Sequence, residues 1–286
     1  EYMKLSDFQR PATVDEARKA LKDHGEAAIA VAGGTALHFM QGVKDKVAID
    51  ITGLGFDGIK KGRDTFSIGS TTRIADLVEY HEEGWALCQV ASRLATNQVR
   101  HMSTVGGNIA RVFPWADFPV ALLALDGEVV ILSDSEKKMA MDDYFKGQPA
   151  KHFSAGDLLK SVEVKSVAQG EGFGYHKEVR TAAGFSMITS AAKVEVKDGA
   201  ISAARVAVGA AVGMPQRLEE LEKALVGKKV DVDEIKKCVE SATQNNQWKT
   251  KEGQGEVYTA SLVQVGLTDA IFQAAQRAEK GERGGC

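Results

Sequence analysis

Cysteine is scarce in this sequence. Among 286 residues only Cys88, Cys238 and Cys286 occur, far apart and without a C-x-x-C pair. Such a set offers no disulfide framework and no ligand cluster for zinc or for an iron–sulfur centre. Free thiols without a signal peptide are typical of a reducing compartment, so we expect a cytoplasmic protein. The sequence leaves the roles of the three cysteines open.

A clear excess of either charge is also missing. Lysine and arginine number 36 and aspartate and glutamate 39, which gives a net charge of −3. Nucleic-acid-binding proteins and polybasic membrane-binding proteins carry a clustered basic excess, so we expect neither class. No apolar run reaches the length of about 18 residues that indicates a membrane-spanning helix. A hydrophobic content of 44% and a charged content of 26% are ordinary for a globular chain, and the length suits one large or two ordinary domains.

The first part of the chain reads as an α+β unit of about 175 residues. Thr13 and Glu16 have the spacing of a capping box and predict a helix that stops near Gly25. The apolar run 27–32 predicts a buried strand that ends in a glycine pair. The remaining predicted elements are strands at 47–51, 65–69 and 128–132, helices at 72–83 and 85–97, and an irregular segment at 104–117.

The second part has a different pattern. Residues 186–197 and 201–208 alternate between apolar and polar, and Asp198-Gly199 lies between them. This dipeptide between two alternating runs predicts a β-hairpin. Helical patterns follow at 216–225, 231–242 and 257–278, so we predict a small antiparallel sheet backed by helices.

One glycine motif is misleading. Gly53, Gly55 and Gly58 match G-x-G-x-x-G after a predicted strand. A dinucleotide site also needs a helix that begins at these glycines, so that its free N–H groups face the diphosphate. Residues 59–64 read as a turn instead, and we therefore predict a surface loop.

Two other glycine pairs have a better context. Gly33-Gly34 follows a predicted buried strand and precedes Thr35, and Gly106-Gly107 lies between Thr104 and Asn108. Glycine allows backbone N–H groups to approach a phosphate, because no Cβ stands in the way. Ordinary turns and loops explain each pair equally well when it is taken alone. Together they suggest a diphosphate held from two sides.

The combination of motifs resembles a known family. The resemblance rests on Gly-Gly-Thr at 33–35, Gln-Val-Arg at 98–100, Thr-Val-Gly-Gly-Asn at 104–108, Pro-Trp-Ala-Asp at 114–117 and Ala-Leu-Leu-Ala-Leu at 121–125. These motifs are similar to those of the FAD-binding medium subunits of molybdenum hydroxylases, the family of xanthine dehydrogenase and CO dehydrogenase. The similarity covers nearly the whole chain.

The family implies a fold in two domains. Residues 1–174 would form a two-part FAD-binding domain of the vanillyl-alcohol-oxidase (PCMH) type, with parts at about 1–57 and 58–174. Residues 175–286 would form a C-terminal domain like that of the CO dehydrogenase flavoprotein, a small antiparallel sheet with helices.

The resemblance also implies which residues hold FAD. The first glycine loop would wrap the diphosphate, and the second would bind on its other side. The implied cofactor-binding residues are Ala30, Val31, Ala32, Gly33, Gly34, Thr35, Ala36, Leu37, Leu94, Thr104, Val105, Gly106, Gly107, Asn108, Asp117, Leu159 and Lys177. Family members often carry a polar residue at the position of Ala36 and some an aromatic one at Leu94, so a side-chain hydrogen bond and a stacking contact are absent here.

The implied function is electron transfer, and no catalytic nucleophile or acid–base pair is expected on this chain. FAD would take electrons from 2Fe–2S clusters on a small partner subunit and pass them to an external acceptor such as NAD. A large partner subunit would carry the molybdopterin cofactor, and the complex would be a dimer of heterotrimers. A self-contained FAD-dependent oxidoreductase and a flavin-free assembly subunit are the two alternatives.

Overall fold

Three β-sheets organise the fold. The computed structural model describes residues 4–40, 45–250 and 255–283. Within them the first sheet is parallel, with the order β1-β3-β2, and its strands are β1 (Leu5–Gln9), β2 (Ala28–Val31) and β3 (Lys46–Asp50). Helix α1 (Val14–His24) connects β1 to β2, which lie on opposite sides of β3.

The start of α1 follows the predicted capping pattern. Thr13 is the N-cap, and its side chain accepts a hydrogen bond from the Glu16 amide. The Glu16 carboxylate in turn accepts one from the Ala12 amide, one residue before the position that a strict capping box uses. Ala17 and Leu21 then pack on the first sheet, which buries the apolar face of the helix.

The second sheet is antiparallel and has five strands in the order β4-β5-β8-β6-β7. The strands are β4 (Ile59–Lys61), β5 (Thr65–Gly69), β6 (Glu128–Leu132), β7 (Glu136–Ala140) and β8 (Leu158–Lys165). The accompanying helices are α2 (Ile74–Glu79), α3 (Cys88–Ala91), α4 (Asn97–Met102), α5 (Val105–Ile109), α6 (Phe118–Ala124) and α7 (Met141–Tyr144). Helix α6 is wholly buried; it packs against the third sheet and shares one hydrophobic core with residues of the second.

The third sheet has four antiparallel strands in the order β12-β11-β10-β9. The strands are β9 (Glu171–Glu178), β10 (Ile188–Lys197), β11 (Ala200–Gly209) and β12 (Gln216–Arg217). Its helices are α8 (Glu219–Leu225), α9 (Val232–Thr243) and α10 (Glu256–Lys280). Asp198 and Gly199 both have positive φ, as a type I′ turn requires, and the predicted hairpin is confirmed.

The two faces of strand β9 pack against different parts of the structure. Phe173 and Tyr175 belong to the core that includes α6, and Lys177 points to the same side. Gly172 and Gly174 face α10 so closely that an added Cβ would lie 2.0 Å from a carbonyl oxygen of that helix. This alternation follows from the two-residue period of a strand. Strand β9 therefore contacts the core around α6 on one face of the third sheet and α10 on the other.

Replacing Gly174 with alanine will reduce the free energy of unfolding by about 1–3 kcal/mol, because the new methyl group overlaps the Ala270 carbonyl and α10 must shift. Gly147→Ala is the matched control, since its Cβ meets nothing within 4 Å. Urea denaturation of both variants measures the difference. Equal stability of the two variants would contradict the close β9–α10 contact.

Several local predictions differ from the structure. The helix predicted over 85–97 is only the single turn α3, and Ala95 adopts a positive φ that ends any continuation. Residues 216–217 pair with β11 before α8 begins, although the sequence predicts helix from 216. The segment 104–117, predicted to be irregular, contains α5. Strands β1, β7 and β8 have no counterpart among the predictions. Strand β4 occupies residues 59–61, which were predicted to be a turn, and β2 forms as predicted but has no buried residue.

The cysteines differ in state. Cys238 is a free thiol, and Cys88 is disulfide-bonded, so the expectation of free thiols is wrong for Cys88. Cys286 lies outside the described residues. In the part of the chain that the structure describes, no helix combines the length and the apolar character needed to span a membrane.

Candidate functional site

A cavity of about 740 Å³ lies where the three sheets meet. Its walls come from the loop that follows β2, from the segment between α3 and α6, and from the end of β9 with the connection to β10. This volume is within the range of cofactor-binding pockets.

Most of the residues implied by the family resemblance line this cavity. The lining includes Ala30, Val31, Ala32, Gly33, Gly34, Thr35, Ala36, Leu37, Leu94, Thr104, Gly107, Asn108, Asp117 and Lys177. Val105, Gly106 and Leu159 lie behind the wall instead. Val105 is fully buried, Leu159 packs in the core from β8, and the Gly106 amide donates to the Ser70 carbonyl.

The first glycine loop requires glycine for two reasons. A Cβ on Gly33 would lie 1.8 Å from the Met102 carbonyl oxygen, so only glycine permits this contact between the loop and α4. Gly34 has a φ of +68°, which favours glycine because it has no Cβ. In the described part of the chain, the amides of residues 33–36 donate to no protein acceptor. The loop therefore offers N–H groups to an anion in the cavity.

The second glycine loop is different, because its amides are already used. The Val105 and Gly106 amides donate to the carbonyls of Thr72 and Ser70, at 3.0 and 2.7 Å. The Gly107 amide donates to the Thr104 hydroxyl, which caps α5, and the Asn108 amide donates to the Thr104 carbonyl. This loop contributes a close backbone approach and side chains, not backbone donors.

Asn108 supplies an unused acceptor to the cavity. Its side-chain oxygen is buried and has no hydrogen-bond partner. A buried polar atom without a partner is unfavourable unless a ligand or water satisfies it. The hydroxyl groups of the FAD side chain are donors of the right kind, and so the residues present fit this cofactor.

Asp117 and Lys177 form a buried ion pair at the cavity wall. The Lys177 Nζ lies 2.8 Å from Asp117 Oδ2, and each side chain is only 5% exposed. Ser186 also donates to this carboxylate, and Lys177 donates to the Arg93 carbonyl. The pair connects β9 with the residue before α6, so it joins the two sides of the cavity.

The Tyr175 hydroxyl is buried beside this pair and has no well-formed hydrogen bond. Burial, and then the neighbouring Asp117 carboxylate, raise the pKa of this hydroxyl well above its ordinary value. The group therefore stays protonated at neutral pH and remains a donor.

Apart from Trp115 of the Pro-Trp-Ala-Asp motif, the aromatic rings at the cavity and the Arg111 cation were missed by the sequence reasoning. Phe39, Phe113, Trp115 and Phe185 contact one another with ring centroids 4.6 to 5.7 Å apart. The Arg111 guanidinium lies 5.6 Å from the Phe113 ring. Phe113 and Trp115 follow the second glycine pair closely, which was a usable signal. Phe185 comes from the connection between β9 and β10 and carried no local signal.

The G-x-G-x-x-G motif is a surface loop, as predicted. Gly53, Gly55 and Gly58 are followed by β4 and not by a helix, and none of them lines the cavity. The loop therefore lacks the helix start that a dinucleotide site needs.

Comparison with known families settles the relationship. Residues 3–166 match the model of the FAD binding domain in molybdopterin dehydrogenase, and residues 173–274 match the CO dehydrogenase flavoprotein C-terminal domain. The chain belongs to the FAD-binding medium subunits of the molybdenum hydroxylases. The resemblance and the α+β fold class predicted from the sequence are thereby confirmed.

Individual relatives agree with this assignment. The glyceraldehyde dehydrogenase medium chain of Sulfolobus acidocaldarius is 30% identical over 80% of this chain and 84% of the relative. The nicotine 6-hydroxylase medium subunit of Paenarthrobacter nicotinovorans is 25% identical, covering 94% of this chain and 97% of the relative. The carbon monoxide dehydrogenase medium chain of Afipia carboxidovorans is 27% identical, covering 96% and 98%. The chain is accordingly a subunit of an FAD-dependent oxidoreductase.

Solved structures show the same fold. A chain of the Cu,Mo-CO dehydrogenase superposes with a TM-score of 0.87 at 23% identity, covering 96% of this chain and 98% of the other. A chain of quinoline 2-oxidoreductase from Pseudomonas putida 86 gives a TM-score of 0.82 at 22% identity, covering 99% and 98%.

Proposed function

We propose that this medium subunit transfers electrons from the 2Fe–2S clusters of a small partner subunit, through FAD, to an external acceptor such as NAD. FAD, when bound, accepts electrons singly and releases them in pairs. The observation that carries the proposal is the cavity itself, in which free loop amides, an unsatisfied Asn108 oxygen and a buried Lys177–Asp117 pair converge. Family membership supports the cofactor, and the acceptor rests on this proposal alone.

The chain's own residues would bind and orient the cofactor. The free amides of residues 33–36 would hold the diphosphate, and Asn108 and Asp117 would accept hydrogen bonds from the hydroxyl groups of the flavin side chain. Lys177, whose charge is paired with Asp117 at 2.8 Å, would present its ammonium group to the flavin as a hydrogen-bond donor. Leu94 and the aliphatic residues of the first loop would exclude water.

Val105, Gly106 and Leu159 are implied by the family but do not line the cavity, and they would support its wall from behind. Val105 and Gly106 anchor α5 to residues 70–72 through their amides, and Leu159 fills the core behind it. We propose an indirect role in cofactor binding for these three residues, since each lies one layer behind the cavity.

We propose the two-domain division at 174/175, with the first domain divided near residue 57. Sheet membership supports it, because the strands up to Lys165 form the first two sheets and the strands from Glu171 form the third. By this criterion the change falls just before β9. A cytoplasmic location, a large molybdopterin-binding partner and a dimer of heterotrimers belong to the same proposal, and they rest on the family relationship.

Native mass spectrometry of the tagged chain from its own host tests the proposal. The expected result is a complex that contains FAD, an iron–sulfur subunit and a large molybdopterin subunit. Addition of NAD to the substrate-reduced complex should reoxidise the flavin and restore its absorbance. A lone FAD-containing chain would favour a self-contained oxidoreductase, and a complex without flavin would favour an assembly subunit.

Replacing Gly107 with leucine will remove FAD from the chain without unfolding it. Gly107 lines the cavity, and a Cβ there lies 3.1 Å from the Thr104 hydroxyl, so the larger side chain occupies cofactor space. Flavin content after gentle purification and the circular dichroism spectrum measure the two effects. Gly147→Leu, at a position with no atom within 4 Å of its Cβ, is the control and should keep its flavin. Full flavin content in Gly107→Leu would contradict the placement of the cofactor.

A further inference from the structure

The two glycine loops differ in the number of backbone N–H groups that are free to bind a diphosphate. The first loop has free amides at residues 33–36, whereas the amides of residues 105–108 all donate to protein acceptors. Of the two glycine loops, only the first therefore offers free N–H groups to the cavity. An anion with two phosphate groups needs donors on its other side as well, or those oxygens remain without partners.

The charged side chains of the cavity lining are Arg111, Asp117 and Lys177. Lys177 and Asp117 neutralise each other at 2.8 Å. Arg111 forms no ion pair with any carboxylate in the described ranges, and its guanidinium is held only over the Phe113 ring. The lining therefore carries one uncompensated positive charge, which suits an anionic ligand.

Arg111 also lies close in sequence to the second glycine loop, whose amides are occupied. It follows α5, four residues after Gly107, and both residues line the cavity. A guanidinium presents several N–H donors in a plane and binds phosphate oxygens in pairs. Contact with the Phe113 ring orients the planar group at this wall.

We propose that Arg111 binds the diphosphate of FAD from the side of the second glycine loop and makes the cavity select the dinucleotide over riboflavin. The inference rests on the proposed function, since it assumes that FAD occupies this cavity. Arg111 supplies the charge that the second loop's amides do not, and the first loop supplies the remaining donors.

The test compares FAD with riboflavin, which has the same ring and side chain but no phosphate. The full-length chain is stripped of flavin, and both ligands are titrated by fluorescence quenching against wild type, Arg111→Gln and Arg63→Gln. Arg63 is 96% exposed in the turn between β4 and β5, so its variant controls for the change in net charge. Arg111→Gln should weaken FAD binding about tenfold to hundredfold, as expected for a lost charge-assisted hydrogen bond. Riboflavin affinity should stay within about twofold, and Arg63→Gln should match wild type.

Other outcomes overturn the inference in distinguishable ways. An unchanged FAD affinity in Arg111→Gln, or an equal loss for both ligands, shows that Arg111 does not contact phosphate. If Arg111→Gln fails to fold, the salt dependence of ligand binding by the wild-type chain is the test. Salt should weaken FAD binding and leave riboflavin binding unchanged. Parallel salt curves for both ligands would overturn the proposal. A wild-type chain that binds no flavin overturns the proposed function itself.

Discussion

Replacing Gly33 with alanine will abolish FAD binding and destabilise the chain by about 3 kcal/mol or more. The new Cβ would lie 1.8 Å from the Met102 carbonyl oxygen and 2.7 Å from its carbon. These are backbone atoms and have no rotamer by which to move away, so the loop and α4 must separate. The free amides of the loop then lose the position from which they face the cavity. Flavin titration and urea denaturation measure the two losses.

A second glycine provides the control for this variant. Gly53 belongs to the misleading G-x-G-x-x-G motif, and its Cβ would meet nothing within 4 Å. Gly53→Ala should therefore bind FAD as wild type does and unfold at the same urea concentration. If Gly53→Ala loses flavin while Gly33→Ala keeps it, the choice between the two glycine motifs is wrong.

Replacing Asp117 with asparagine will reduce the free energy of unfolding by about 3–5 kcal/mol, because it leaves the buried Lys177 ammonium without its carboxylate. The new amide group also lowers FAD affinity, since it presents N–H donors where the carboxylate accepted hydrogen bonds. Denaturation of the flavin-free chain isolates the effect on stability from the effect of the ligand.

Two further variants test the cause. The double variant Asp117→Asn with Lys177→Met removes both charges, and it should recover much of the lost stability without recovering FAD affinity. Asp134→Asn removes a carboxylate that is 94% exposed and pairs with Arg18 at 3.0 Å, so the free energy of unfolding should stay close to that of wild type. Equal effects of Asp117→Asn and Asp134→Asn would show that water reaches the Asp117–Lys177 pair.

Local sequence patterns correctly predicted the elements that are determined by a few neighbouring residues. The capped start of α1, the turn at Asp198-Gly199 and the strand that ends at the first glycine pair needed no distant contact. The helix predicted over 85–97 is wrong because periodicity did not show that Ala95 takes a positive φ.

The cofactor cavity needed information that no local pattern holds. Asp117 and Lys177 are 60 residues apart, and only the family resemblance brought them together before the structure was known. The occupied amides of Val105 and Gly106 in the second glycine loop were equally hidden, because their acceptors lie at Thr72 and Ser70, on the segment between β5 and α2. Sequence spacing identified where glycine is required, whereas burial and hydrogen bonding showed what each glycine does there.

Strand β9 has a consequence for how this chain can evolve. One of its faces completes the core around α6 and carries Lys177, and the other packs on α10 through Gly172, Gly174 and the His176 side chain. Arg277 of α10 adds hydrogen bonds to the Phe173 carbonyl and to Gln89. A recombination event that exchanged the C-terminal part for that of a relative would replace one of the two partners in each of these contacts. A crossover should therefore be tolerated only where both partners of every contact across β9 are retained.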